Sequence, residues 1–86
     1  MFYVYLLRSL KDGKLYIGFT SDIKKRPDEH NSGKSRSTKS RRPFELIYFE
    51  AYKAKKDAQK REAMLKRFGR AYGGLKRRLS ASLENL

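Results

Sequence analysis

A chain of 86 residues holds one domain, because a chain this short buries only about 60% of its unfolded surface and a second core would not fit. The 38% hydrophobic content, with six Tyr and five Phe, is enough for a small core and excludes wholesale disorder despite 36% charged residues. Twenty-two Lys and Arg against nine Asp and Glu give a formal charge of +13, which points to a polyanionic partner.

The absence of cysteine excludes a disulfide framework and a thiolate zinc site, and a single His excludes a multi-histidine metal cluster. Any metal must be held by oxygen. No apolar run approaches the roughly 20 residues that cross a bilayer, and the stretch 2–7 meets Arg8 at once, unlike a signal peptide. A cytoplasmic protein without a membrane partner is the expectation.

In chain order, Phe2-Tyr3-Val4-Tyr5-Leu6-Leu7 and Leu15-Tyr16-Ile17-Gly18-Phe19-Thr20 are aromatic and β-branched segments around the breaker Lys11-Asp12-Gly13-Lys14, the pattern of a β-hairpin. Side chains alternate between faces, so Phe2, Val4, Leu6, Leu15, Ile17 and Phe19 form an oily face, with Tyr3, Tyr5, Tyr16 and Gly18 on the other. Two registers are open. A two-residue turn at Asp12-Gly13 leaves Tyr5 about 13 Å from Tyr16 along the strand. A loop over Leu10 to Gly13 instead pairs Leu7 with Tyr16 and Tyr5 with Gly18. We favour the second register, in which the two tyrosines are diagonal neighbours and Gly18 leaves a hollow over Tyr5.

Ser21 or Asp22 can cap a short helix running to His30, with Asn31-Ser32-Gly33 as its stop. Pro27 either kinks that helix or begins it afresh, since it lacks a backbone donor and pushes Arg26 from the α region. The run from Lys34 to Pro43, KSRSTKSRRP, carries nothing to hold it against a core and reads as a basic loop. Phe44 to Glu50 returns to strand character, and its near-continuous apolar content suits a central or well-covered strand. Helical spacing follows at Ala54, Ala58, Leu65 and Phe68 until Gly69, then at Tyr72, Leu75, Leu79 and Leu83 in a last helix. The order β-β-α-β-α-α implies a single α/β (α+β) domain over residues 1–86, with helices packed on a small three-stranded antiparallel sheet.

Tyr3-Val4-Tyr5 followed by Tyr16-Ile17-Gly18 resembles the paired strand motifs of the GIY-YIG nuclease superfamily. The stretch from Thr20 to Arg26 is similar to its first helix, His30-Asn31-Ser32-Gly33 to that helix's end, and Lys60 to Lys66 to the helix bearing its glutamate. The likeness covers nearly the whole chain and is nearest to small stand-alone members related to the N-terminal nuclease domain of the DNA-repair excinuclease. It implies a metal-dependent phosphodiesterase, with Tyr5 and Tyr16 as the motif tyrosines, Arg26 as the phosphate-binding arginine and Glu62 as the metal ligand. Tyr3 stands where the first motif has glycine, and Pro27 departs from the family pattern next to Arg26.

The chemistry can also be argued from the residues. Phosphodiester hydrolysis requires an attacking water, a cation over the non-bridging oxygens and stabilisation of the leaving alkoxide. A tyrosine serves as proton acceptor only where cations favour its phenolate or relay its proton. Arg26 presents a planar fork that matches phosphate bidentately, whereas Lys24 and Lys25 offer only point charges to a nucleic acid. His30 is one helical turn from Arg26 and can face the same phosphate; the alternative is an exposed helix-end histidine.

Glu62 borders the apolar stripe, where a carboxylate either takes a metal or pairs with Lys66 four residues on. One carboxylate suits Mg²⁺, with Mn²⁺ in its place as an alternative, because such ions keep several waters and complete their shell on phosphate. Lys34, Arg36, Lys39, Arg41 and Arg42 are expected to contact backbone phosphates, which supplies affinity without reading bases.

The reading is a metal-dependent endonuclease that hydrolyses DNA, RNA being the alternative polyanion, with structure or end preference over tight sequence preference. Its rival is a non-catalytic nucleic-acid-binding module on the same fold. A ribosome- or RNA-associated structural protein would share the composition but not four ordered motifs. The sequence assigns no oligomeric state.

Overall fold

The first segment becomes the middle of the sheet. In the computed structural model, which describes residues 1–36 and 38–84, β1 (Phe2–Ser9) lies between β2 (Leu15–Thr20) and β3 (Phe44–Tyr52), antiparallel to both. Every residue of β1 from Val4 to Ser9 is buried, as a central strand covered on two faces must be. The hairpin adopts the wider loop: Tyr5 stands opposite Gly18 and Leu7 opposite Tyr16. Ser9 Oγ organises the turn by accepting the backbone N–H groups of Lys11 and Asp12 at 3.1 and 3.2 Å.

The third strand departs from expectation. Its apolar content suggested a central or well-covered place, yet β3 is an edge strand and exposes Leu46, Phe49 and Ala51. The pairing slips between Leu6, opposite Tyr48, and Leu7, opposite Leu46. Ile47 is therefore the extra residue of a β-bulge, and a bulge reverses side-chain parity. Phe44 and Leu46 share the tyrosine face, whereas Tyr48, Glu50 and Tyr52 face the oily side.

Helices cover both faces. On the oily side α2 (Lys55–Leu65) and α3 (Arg70–Arg78) bury Ala58, Leu65 and Leu75 against Val4, Leu6 and Ile17. Each fully buried aliphatic side chain there contributes about 1.5–3 kcal/mol. Glu50 ties α2 to the sheet. Its carboxylate accepts Arg61 Nε and Nη2 at 2.9 and 3.0 Å, the Tyr48 hydroxyl at 2.6 Å and the Tyr52 hydroxyl. Burial disfavours this charge, but those donors outweigh burial and hold the carboxyl below its usual range.

On the tyrosine side α1 (Arg26–Asn31) follows a turn capped by Asp22, whose Oδ1 accepts the N–H groups of Lys24 and Lys25 at 3.2 and 3.1 Å. Pro27 lies at the helix start, where its missing donor costs nothing and its fixed φ is already helical. The choice between a kink and a fresh start is settled in favour of the start.

Three further expectations are corrected. The segment from Lys34 to Pro43 is anchored: Thr38 is fully buried, Ser9 Oγ donates to the Arg41 carbonyl at 2.6 Å, and Lys11 Nζ donates to the Ser40 carbonyl at 3.1 Å. Hydrogen bonds do there what apolar contacts do elsewhere. Phe68 does not extend the stripe of α2, because the helix ends at Leu65 and leaves the ring 65% exposed. Likewise Leu83 lies beyond α3, and its carbonyl accepts Arg8 Nη1 at 3.1 Å.

Candidate active site

The missing side chain of Gly18 brings β1 and β2 chemistry together. The Tyr5 ring lies across β2 at that glycine, and its hydroxyl meets His30 Nε2 at 2.8 Å. His30 Nδ1 is 2.7 Å from Thr38 Oγ1, which in turn donates to the Ser35 carbonyl at 3.5 Å. The Arg26 guanidinium lies close enough for its charge to act on the Tyr5 oxygen. Because the Thr38 hydroxyl donates to Ser35, its oxygen accepts from His30 Nδ1, which leaves Nε2 to accept the Tyr5 proton. The donor count thus assigns the imidazole proton to Nδ1 and gives every proton in the chain one acceptor.

Burial sets the charge states. Tyr5 is 2% exposed, and burial pushes its phenol up to about 12, with Arg26 opposing. His30 is wholly buried, and burial followed by the charge of Arg26 holds it down to about 4. At neutral pH both are uncharged. His30 is therefore not the exposed helix-end residue of the alternative reading.

Tyr16 completes the cluster. Its ring packs edge-on against His30 with centroids 5.0 Å apart, and lies 6.4 Å from the Tyr5 ring and 6.5 Å from the Phe44 ring. Tyr16 is half-buried, and no hydrogen bond among the described residues engages its hydroxyl. It is the motif tyrosine that solvent can reach.

Arg26 is half-buried and also pairs with Glu29, Nη1 to Oε1 at 3.6 Å. Glu62 belongs to α2 and lies close enough for its charge to act on Tyr5, in the direction that raises the phenol pKa. Its Oε2 pairs with Lys66 Nζ at 3.0 Å, the contact that the helix spacing allowed. No group of three or more His, Asp or Glu side chains among the described residues could hold a metal ion; Glu29 is engaged by Arg26, and Glu62 is the carboxylate that α2 brings near Tyr5. A single half-buried carboxylate whose one partner is an exposed lysine fits a hydrated divalent ion that completes its shell on phosphate.

The cations surround this cluster unequally. Lys24, Lys25, Lys34, Arg36, Lys39 and Arg42 are exposed, while Arg41 Nε reaches Asp12 Oδ2 at 3.2 Å and its guanidinium stands 5.6 Å over the Phe44 ring. Sequence reasoning missed Thr38, Phe44 and Asn31. Asn31 holds Phe44 in place by donating to its carbonyl at 2.9 Å and accepting its N–H at 2.6 Å. Nothing in a hydroxyl-rich basic stretch distinguished Thr38 from its neighbours.

Paired strand tyrosines over a glycine, an arginine opening the first helix and a glutamate on the second are the arrangement of a nuclease domain. Residues 1–78 match the GIY-YIG catalytic domain, and the chain belongs to the GIY-YIG family. A UPF0213 protein of Staphylococcus saprophyticus is 45% identical over 69 residues, covering 79% of this chain and 83% of that relative. A UPF0213 protein of Syntrophus aciditrophicus is 46% identical over 71 residues, 80% of each chain. The solution NMR structure of a UPF0213 protein of Bacillus halodurans is similar with a TM-score of 0.55 at 36% identity, covering 92% of this chain and 85% of that one.

Proposed function

We propose that the protein is a metal-dependent endonuclease that hydrolyses DNA phosphodiester bonds, preferring structured sites or ends to a defined sequence. The observation that carries this reading is the convergence of Tyr5, Tyr16, Arg26 and His30 at one glycine of β2, within electrostatic reach of Glu62.

Arg26, at the start of α1, holds the non-bridging oxygens of the phosphate through its fork. Tyr16, open to solvent, loses its own proton to bulk water where the surrounding cations favour its phenolate, and that phenolate orients the attacking water and takes its proton as the P–O bond forms. Tyr5 positions: its proton is committed to His30, and its buried phenol stands within reach of the Arg26 charge. His30, neutral and fixed by Thr38, holds both rings. A Mg²⁺ or Mn²⁺ ion carried by Glu62 would neutralise charge on the phosphate and stabilise the leaving alkoxide.

The exposed cations of the 34–42 segment, with Lys24 and Lys25, hold the DNA backbone and read no base edge. No helix among the described residues is long and apolar enough to cross a membrane, and a cytoplasmic, DNA-repair setting fits this reading. A non-catalytic nucleic-acid-binding module is the second reading, favoured by the Lys66 ammonium on the Glu62 carboxylate.

Nicking of supercoiled plasmid with and without Mg²⁺ separates the two. The endonuclease reading requires cleavage that Tyr16→Phe, Arg26→Ala and Glu62→Ala each reduce at least about 100-fold while circular dichroism stays unchanged. DNA binding by the wild type without any product would establish the module instead.

A further inference from the structure

The chain between α2 and α3 holds a residue in an unfavourable place. Phe68 has a φ of 55°, the left-handed region that bulky side chains rarely enter, although the next residue is a glycine that could take it freely. The ring is also 65% exposed, the most exposed large hydrophobic of the described residues. It meets Tyr72 edge to face with centroids 5.0 Å apart, which steadies it without covering it. The left-handed turn ends α2, with the Phe68 N–H donating to the Leu65 carbonyl at 3.1 Å, but glycine would make that turn without strain, core packing does not ask for an aromatic ring there, and such outliers cluster at ligand contacts.

Its surroundings name the ligand. From Lys66 to Tyr72 the sequence is KRFGRAY, with Lys66, Arg67 and Arg70 all exposed and no carboxylate in the run. An open aromatic ring in a run of three cations, of which Arg67 and Arg70 have no ion pair among the described residues and Lys66 is held by Glu62, is the combination that stacks an unpaired base while holding its phosphates. A neutral apolar partner would gain from the ring but not from the three exposed cations that flank it in the chain. Duplex DNA would gain from the charges but offers no unstacked base.

We infer that Phe68 is a base-stacking platform for single-stranded DNA, with Lys66, Arg67 and Arg70 holding the flanking backbone. Position makes it part of the site. Phe68 follows Glu62 by six residues, on the order of 10 Å along α2 and its turn, or about three base steps at 3.4 Å. This placement rests on the endonuclease reading; the stacking does not. An unpaired base captured there sets the cleaved phosphate near the junction between paired and single-stranded DNA. It also draws Lys66 towards phosphate and away from Glu62.

The test uses binding alone, in EDTA. A single-stranded oligonucleotide carrying 2-aminopurine and a duplex of equal length are titrated with the full chain and with Phe68→Leu, Phe68→Gly and Phe68→Trp. Stacking predicts that 2-aminopurine is quenched by the wild type and by Phe68→Trp. Phe68→Leu and Phe68→Gly should bind the single strand about 5- to 100-fold more weakly, with duplex affinity changed less than about twofold. Phe68→Gly also removes the backbone strain, so its melting temperature should hold or rise while single-strand binding falls. Unchanged single-strand affinity, equal losses on both DNA forms, or unfolding of Phe68→Gly would each overturn the inference. A wild type that stacks 2-aminopurine but never nicks plasmid would refute the endonuclease reading and leave the platform standing.

Discussion

Tyr5 and Gly18 occupy one space: a Cβ on Gly18 would stand 2.2 Å from both Cζ and the hydroxyl oxygen of Tyr5. The ring is buried and hydrogen-bonded at its far end, so it cannot swing aside freely. Gly18→Ala should therefore cost about 1–3 kcal/mol in urea denaturation. It should also reduce plasmid nicking well beyond that loss, because Tyr5 must leave His30. A variant as stable and active as the wild type would remove the contact from the site.

The two tyrosines should separate by assay. Tyr5→Phe strands His30 Nε2 without its donor inside the protein, a loss of about 1–3 kcal/mol. Tyr16→Phe removes a hydroxyl that no bond of the fold uses, and stability should change by less than about 0.5 kcal/mol. Nicking should fall most in Tyr16→Phe. Denaturation curves beside single-turnover rates read both quantities.

His30 should make stability depend on pH in a defined window. Its pKa is about 4 in the fold against 6.5 unfolded, so between those values the unfolded chain binds a proton that the native state refuses. Stability contributed by neutral His30 is full above about pH 6.5, declines as pH falls and levels off below about pH 4. The total is about 3 kcal/mol at 1.36 kcal/mol per unit. Denaturation of wild type and His30→Gln at pH 7, 5.5 and 4 should show the slope in the first and a flatter course in the second.

Arg61 should matter through its neighbour. Its fork on Glu50 sets the rotation of α2, and Glu62 is the next residue. Arg61→Ala leaves Glu50 half-buried beside two tyrosines without its cation, costing about 2–4 kcal/mol. Arg61→Lys keeps a charge but not the fork. It should stay folded yet need more Mg²⁺ for half-maximal nicking, a shift that loss of stability alone would not produce.

Salt should weaken duplex binding steeply. Neutralising about four to six phosphates gives a log–log slope near −4 to −5. Arg42→Ala should flatten it by about one unit. Arg41→Ala should act mainly on stability, because that side chain is committed to Asp12 and Phe44. Equal slopes for wild type and Arg42→Ala would take this arginine out of the interface.

Local pattern determined much of the protein. Alternation in the first two strands dictated which residues face the core and set Tyr5, Tyr16 and Gly18 on one face, since strand parity is a property of the chain itself. The order of elements followed from the same local signals, and the four motifs from the family resemblance. Tertiary structure decided the rest. Phe44, Tyr48, Glu50 and Tyr52 share one parity in the sequence, and only the bulge at Ile47 sends the first to the tyrosine face and the others towards α2. No local pattern in β3 encodes that bulge. Thr38 is buried because His30 needs an acceptor from a segment eight residues away. Phe68 is exposed because α2 stops one turn before its apolar spacing does. Each depends on what a distant element presents, which spacing along a chain does not carry.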